Sequence, residues 1–231
     1  MSEVNLLDEN LKNLKEKLDR QFQEIDKQKR EIEEKNKIIG SQKNQLNNYG
    51  VFIDDLIKML LHLLELRDPY TLGHSVRVAR IAKLIAEESK VKIDIKNLQY
   101  AALLHDIGKI AVPDSILHKS TILSKAEKIL IEQHTVLGYE SVQNLRIPDI
   151  IKETIYYHHE SYDGTGYPLK LKGNEIPSSA RIVKIADVYD ALITDRPHRK
   201  SFPEKEAKNI MMKEKSKYDP IFLASFFKII V

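Results

Sequence analysis

Tyr100-Ala101-Ala102-Leu103-Leu104-His105-Asp106-Ile107-Gly108-Lys109 begins as an apolar helical run and ends in an imidazole, a carboxylate and, one glycine later, an ammonium group. A run of Ala and Leu belongs in a core, yet burying unpaired polar groups costs on the order of several kcal/mol. Such groups need partners, and a metal ion is a natural one for a histidine beside an aspartate. The alternative is a helix that surfaces at His105, with Asp106 capping the turn that follows. The stretch alone leaves both readings open.

Outward from it the chain reads as helices joined by loops. Phe52, Ile53, Leu56, Ile57, Leu60, Leu61, Leu63 and Leu64 form an apolar stripe wide enough for a helix entering a core. Arg67-Asp68-Pro69-Tyr70 ends it, because proline disfavours helix at the residue before it. Val78, Ile81, Leu84 and Ile85 mark a second helix, and Ile95 to Ile107 a third. Ile110 to Asp114 reads as a loop. Ser124 and Glu127 have capping-box spacing and should start a helix over Lys125 to His134. Pro148 opens a segment ending at His158-His159, and Asp163 to Pro168 is a glycine-bearing loop. Ala180 to Leu192 is helical again, and Pro203 and Pro220 are placed to open short terminal helices. No run alternates with period two, so the expected fold class is all-α: a helical domain over residues 51–231 behind an N-terminal helix over 1–50.

The N-terminal segment has its own pattern. Val4, Leu11, Leu18, Ile25, Ile32, Ile39, Leu46 and Ile53 recur every seven residues, an unbroken series of coiled-coil a positions. The d positions are Leu7, Leu14, Gln21, Gln28, Lys35, Gln42, Tyr49 and Leu56, polar in the middle. Ten acidic and ten basic side chains balance between Ser2 and Asn48, as on a solvated helix. A homodimer through a parallel two-stranded coil is expected, with an upstream sensory or receiver partner as the source of any input.

Composition removes several classes. Among 231 residues there is no cysteine, which excludes disulfides, thiolate metal sites and a cysteine nucleophile. A formal net charge of +3 gives no field suited to a nucleic-acid polymer. No apolar run approaches the roughly 18 residues of a membrane span. The N-terminus lacks a basic-then-apolar leader pattern, so a cytoplasmic location is the default expectation.

His74, His105, His134, His158 and His159 all fall at ends of helices, and Asp106 and Asp187 join them. Five such histidines with two aspartates favour a metal centre over the capping reading. Imidazole and carboxylate without thiolate suit iron, manganese or another borderline-to-hard divalent ion, with iron the first expectation and manganese the second. The ligand count fits two divalent ions: His74, His105, Asp106 and Asp187 about one, and His134, His158 and His159 about the other, with Asp106 bridging. A bridged pair of this kind serves phosphate-ester hydrolysis through a shared hydroxide. Lys109, Arg196 and Arg199 are the candidate anion contacts.

These residues carry a resemblance. The chain from about Arg67 to Phe226 resembles the HD-GYP family, a branch of the HD-superfamily phosphohydrolases. The matching motifs are Arg67 to Ser75, Leu103 to Lys109, His134 to Gly138, His158 to Pro168 and Ala186 to Leu192, followed by the turn Asp195-Arg196-Pro197. The resemblance implies a helical, metal-dependent phosphodiesterase that hydrolyses the bacterial second messenger cyclic di-GMP to the linear dinucleotide pGpG and, in some members, to GMP. It makes His74, His105, Asp106, His134, His158, His159 and Asp187 the metal ligands, with Asp106 and Lys109 at the reaction. It also makes Lys109, Arg196 and Arg199 substrate contacts and gives Tyr167 a part in shaping the pocket.

Three positions depart from the family pattern. Tyr70 stands where the three-metal subgroup has glutamate, so two ions are expected. Thr135 replaces the usual proline after His134, and His198 the usual tyrosine after Pro197. These departures keep two alternatives open: a cyclic di-GMP-binding interaction module with weak catalysis, and an HD hydrolase for another cyclic dinucleotide.

Overall fold

A computed structural model describes residues 3–67, 73–119, 121–195 and 200–230. Its contacts divide the chain into two units, residues 1–56 and 57–231. Helix α1 (Glu3–Arg67) supplies all the described secondary structure of the first unit and opens the second. In the first unit Leu7, Leu11, Leu14, Leu18, Ile25, Ile32, Ile39 and Leu46 are all exposed.

The second unit continues with α2 (His74–Ser89), α3 (Ile95–Leu104), α4 (Asp114–Leu117), α5 (Lys125–Glu132), α6 (His134–Val142), α7 (Asp149–Tyr157), α8 (Ser178–Ile193), α9 (Glu204–Lys213) and α10 (Pro220–Ile229). No strand occurs among the described residues, and the fold is all-α. Ser124 caps α5 as its spacing predicts. Its Oγ accepts from the Glu127 amide at 3.3 Å, and the Glu127 carboxylate accepts from the Ser124 amide at 2.8 Å. Pro203 directly precedes α9, and Pro220 occupies its first turn in α10.

The third helix is shorter than its apolar pattern predicts. It stops at Leu104, and Ile107–Ala111 form a 3-10 turn where a loop was expected from Ile110 onward. Gly108 accounts for the tight turn. A β-carbon there would lie 1.9 Å from the His134 carbonyl oxygen and 2.6 Å from the Gly138 amide nitrogen, so only glycine lets this turn rest on α6. The expected Lys125–His134 helix likewise ends at Glu132, and His134 starts α6.

Helix α3 joins two cores. Leu98 and Ala102 pack with Val78, Ile85, Ile182, Ile185, Met211 and Phe226 from α2, α8, α9 and α10. Ala101 faces Val142, Ile151 and Ile155 of α6 and α7. Fully burying a side chain such as Leu98 or Ile155 is worth about 1.5–3 kcal/mol. The residue that follows α3 is His105, so a helix held from both sides delivers it to the junction of the two cores.

Candidate metal centre

His105 follows α3, Asp106 precedes the 3-10 turn, His134 begins α6, His158 and His159 follow α7, His74 begins α2 and Asp187 lies inside α8. The ends of five elements and the middle of α8 therefore meet. Ligand atoms gather in two groups, Asp106 with His134, His158 and His159, and His74 with His105 and Asp187; within each group they lie within 4.8 Å of one another.

The histidines are oriented by their second ring nitrogen. Nδ1 of His105 lies 2.7 Å from the Ala102 carbonyl, Nδ1 of His134 lies 2.7 Å from Ile131 O, and Nδ1 of His158 lies 3.0 Å from Ile155 O. A carbonyl only accepts, so each Nδ1 carries a proton, and Nε2 is the atom that presents a lone pair when the ring is neutral. Those lone pairs converge. His134 Nε2 is 3.2 Å from His158 Nε2 and 3.3 Å from Asp106 Oδ1, and His105 Nε2 is 3.2 Å from Asp106 Oδ2. His105 Nε2 and Asp106 Oδ1 are buried without a hydrogen-bond partner. Acceptors facing acceptors repel, and a divalent cation is the group that satisfies them. The residues fit a metal. Asp106 stands between the groups, and its side chain makes no cap on the following turn, which removes the capping reading.

The electrostatics favour ligation at His158 and His159, while His74 holds a proton that a bound ion would have to displace. Burial pushes the His158 and His159 imidazoles far below their ordinary pKa, with neighbouring histidines adding to the effect at both, so both stay neutral and able to ligate. Burial pushes the Asp106 carboxyl up, but the charges of His105 and Lys109 outweigh it and hold Asp106 well below the carboxylate range. For Asp187, burial is likewise outweighed, chiefly by the hydrogen bond from His74. Burial opposes protonation of His74, yet hydrogen bonds to Asp187 and Asp190 raise it to about 9.

Lys109 Nζ donates to Asp106 Oδ2 at 2.6 Å, and the Tyr167 ring stacks on His159 with centroids 4.8 Å apart. Arg196, Arg199, His198 and Tyr70 lie outside the described residues. Thr135 donates its hydroxyl to Glu132 O at 3.1 Å in the first turn of α6.

Several residues of the site were not anticipated from sequence. Asp190 Oδ2 lies 2.7 Å from His74 Nδ1, and Arg77 Nε donates to its other oxygen at 2.6 Å. The signal was present: Asp187 and Asp190 are three apart in one helix and share a face. Glu160 is buried and accepts from the Leu169 amide at 2.7 Å and the Leu171 amide at 3.1 Å, tying the loop that carries Tyr167 to the His158-His159 segment. Gly166 permits that closure, since a β-carbon there would lie 2.3 Å from the Ser161 amide nitrogen. Lys184 Nζ donates to the His159 carbonyl at 3.1 Å, and burial lowers the amine to about 8.

A helical domain that brings five histidines and two aspartates into two adjoining groups, all but His159 buried, has the donor set of a metal centre. Residues 58–221 match the HD domain family, and the chain belongs to it. Membership implies divalent metal binding, and the resemblance to the HD-GYP branch stands. The chain is 38% identical over 185 residues to a cyclic di-GMP phosphodiesterase of Thermotoga maritima, covering 78% of this chain and 50% of that protein. It is 36% identical over 170 residues to the 3'3'-cGAMP-specific phosphodiesterase 2 of Vibrio cholerae, covering 71% of this chain and 32% of that one. Among solved structures, Bd1817, an HDG"Y"P protein from Bdellovibrio bacteriovorus, superposes with a TM-score of 0.57 at 25% identity, over 68% of this chain and 51% of that one. The chain thus spans half or less of the length of these curated relatives. No helix among the described residues is long and apolar enough to cross a membrane.

Proposed function

We propose that the protein is a metal-dependent phosphodiesterase that hydrolyses cyclic di-GMP to linear pGpG, with GMP the further product to assay for. The observation that carries the reading is the convergence of the Nε2 atoms of His105, His134 and His158 on the Asp106 carboxylate, with His105 Nε2 and Asp106 Oδ1 left buried and unpartnered. Relatives named as cyclic di-GMP phosphodiesterases give the substrate. Two divalent ions, iron first and manganese second, would be held by His74, His105 and Asp187 and by His134, His158 and His159, with Asp106 shared. When bound, they supply the Lewis-acid charge that phosphodiester cleavage needs.

The chain's own groups do the rest. Lys109 offers an ammonium beside Asp106, placed to meet a non-bridging phosphate oxygen. Tyr167 keeps its phenolic proton, because burial and the charges of Asp106 and Asp187 raise its pKa, so it donates at the mouth of the site. Arg196 and Arg199 supply guanidinium contacts to phosphate or guanine. The exposed apolar seam of α1 pairs with a second copy in a parallel coil, and an upstream partner acts through it.

The test is elemental analysis of anaerobically purified protein, paired with chromatography of the products formed from cyclic di-GMP. Two metals per chain and a linear product are expected. Metal-replete protein that leaves cyclic di-GMP intact would overturn the reading. Relatives named as 3'3'-cGAMP-specific make that dinucleotide the second substrate to assay.

A further inference from the structure

Arg67 closes α1, and its guanidinium makes a fork on the turn that carries Lys109. Nε donates to Asp114 Oδ1 at 2.9 Å and Nη1 to the Lys109 carbonyl at 3.3 Å. Nη1 also donates to the Ile110 carbonyl and Nη2 to the Val112 carbonyl. The backbone of the same residue is held as well, since His118 Nε2 donates to Arg67 O at 2.6 Å. Two residues earlier, Glu65 Oε1 accepts from the Gly73 amide at 2.7 Å, directly before His74.

An isolated surface ion pair contributes little. This arrangement differs, because three of the acceptors are carbonyls of one short 3-10 turn and its exit. A planar guanidinium with five donors can satisfy such a set, and an ammonium on a flexible stem cannot. The connection to the site is short. The clamp holds the Lys109 carbonyl, and the Lys109 side chain bonds Asp106 Oδ2 at 2.6 Å.

We propose that Arg67 is a positioning residue for the Asp106–Lys109 turn, so that the end of α1 sets the geometry of the groups acting on substrate. The proposal rests on the reading of Asp106 and Lys109 as reaction groups. It also gives strain or rotation arriving along α1 a physical route to the site, through one side chain whose acceptors belong to the turn.

The test compares full-length Arg67→Gln and Arg67→Lys with the unaltered chain in the metal-loaded state. Three quantities are read: metal content, amide hydrogen exchange over residues 107–112, and kcat and KM for cyclic di-GMP. Both variants should keep their metal. In both, exchange at the Val112 amide, which bonds Lys109 O at 3.0 Å, should rise roughly tenfold as the turn opens locally. Turnover should fall by roughly tenfold or more with KM little changed, as for a small misplacement of reacting groups. Exchange unchanged in folded Arg67→Gln, or full turnover restored by Arg67→Lys, would overturn the proposal. If Arg67→Gln fails to fold, Asp114→Asn weakens only one arm of the clamp and should still raise exchange. Should the unaltered, metal-loaded chain leave cyclic di-GMP intact, the proposed activity fails, and exchange alone then decides whether Arg67 sets the turn.

Discussion

Asp190 Oδ2 sits 2.7 Å from His74 Nδ1, while the other ring nitrogen of His74 lies 3.3 Å from Asp187 Oδ1. One imidazole is thus gripped by two carboxylates from a single helix. Asp190 in turn is braced by Arg77 at 2.6 Å. Burial pushes the Asp190 carboxyl up, but hydrogen bonds from His74 and Arg77 outweigh it and hold it below its usual value. Asp190 fixes which nitrogen of His74 faces Asp187, and on the proposed ligand set its charge would make that nitrogen a better donor to the ion.

Asp190→Asn tests this directly. The amide oxygen can still accept from Nδ1, but the negative charge is gone and the ring can settle in either tautomer. Affinity for the ion held by His74, His105 and Asp187 should fall by roughly 10–100-fold, a typical loss for such a supporting partner. Metal titration of the stripped protein should show one weakened and one preserved site. Two sites of unaltered affinity would remove the role given to Asp190.

Gly108 makes a different kind of demand, because its Cα faces the backbone of α6. Gly108→Ala would put a methyl group 1.9 Å from His134 O, and neither backbone can yield without moving a ligand. Overpacking of this sort costs about 1–3 kcal/mol. The melting temperature should drop, and metal affinity should fall with it because Asp106 and His134 separate. A variant as stable and as metal-rich as the parent would show that the turn can retreat from α6.

These cases separate what was legible in sequence from what was not. The helices announced themselves through apolar spacing, Ser124 and the prolines, and the clustered histidines through their position at helix ends. The 3-10 turn after His105 was not legible, because Ile107 continues the apolar period of α3 and only the approach of α6 stops the helix. Asp190, Glu160 and Arg67 were passed over for a related reason. The one local trace of Asp190 is its spacing from Asp187, since its partners lie more than a hundred residues away, and the loop amides and distant carbonyls bound by Glu160 and Arg67 leave none.

The metal-free protein should be sensitive to acid. His158 and His159 have folded pKa values pushed below the unfolded value near 6.5, so the unfolded chain binds their protons first and stability falls as pH drops through that value. Each proton taken up only on unfolding lowers stability by up to about 1.4 kcal/mol per pH unit. Asp106 and Asp187 are depressed, so their contribution is present above the unfolded value near 4 and lost as pH falls through the folded one. His74 works in the opposite sense. Raised to about 9, it stabilises fully below about 6.5 and loses that contribution as pH rises through about 9. Chelator-treated protein should therefore melt lower at pH 5 than at pH 7. A melt that stays level between those values would contradict the neutral state of His158 and His159.

The last prediction concerns α1. Leu11, Leu18, Ile25, Ile32, Ile39 and Leu46 leave an apolar seam exposed along one copy. With those residues at a, the flanking e positions include Lys15, Lys29 and Lys43, and the g positions include Glu24 and Glu31. A parallel pair sets Glu24 of one copy beside Lys29 of the other and opposes no like charges across these positions. An antiparallel pair sets e against e, lysine against lysine, which the charges disfavour. Gln21, Gln28, Lys35 and Gln42 at d weaken the centre of the coil, so the dimer should dissociate at low concentration. Light scattering should give about twice 26.7 kDa for the full chain and a single-chain mass after deletion of residues 1–48. An unchanged dimer after the deletion would move the interface to residues 49–231 and take from α1 its part in pairing the two sites.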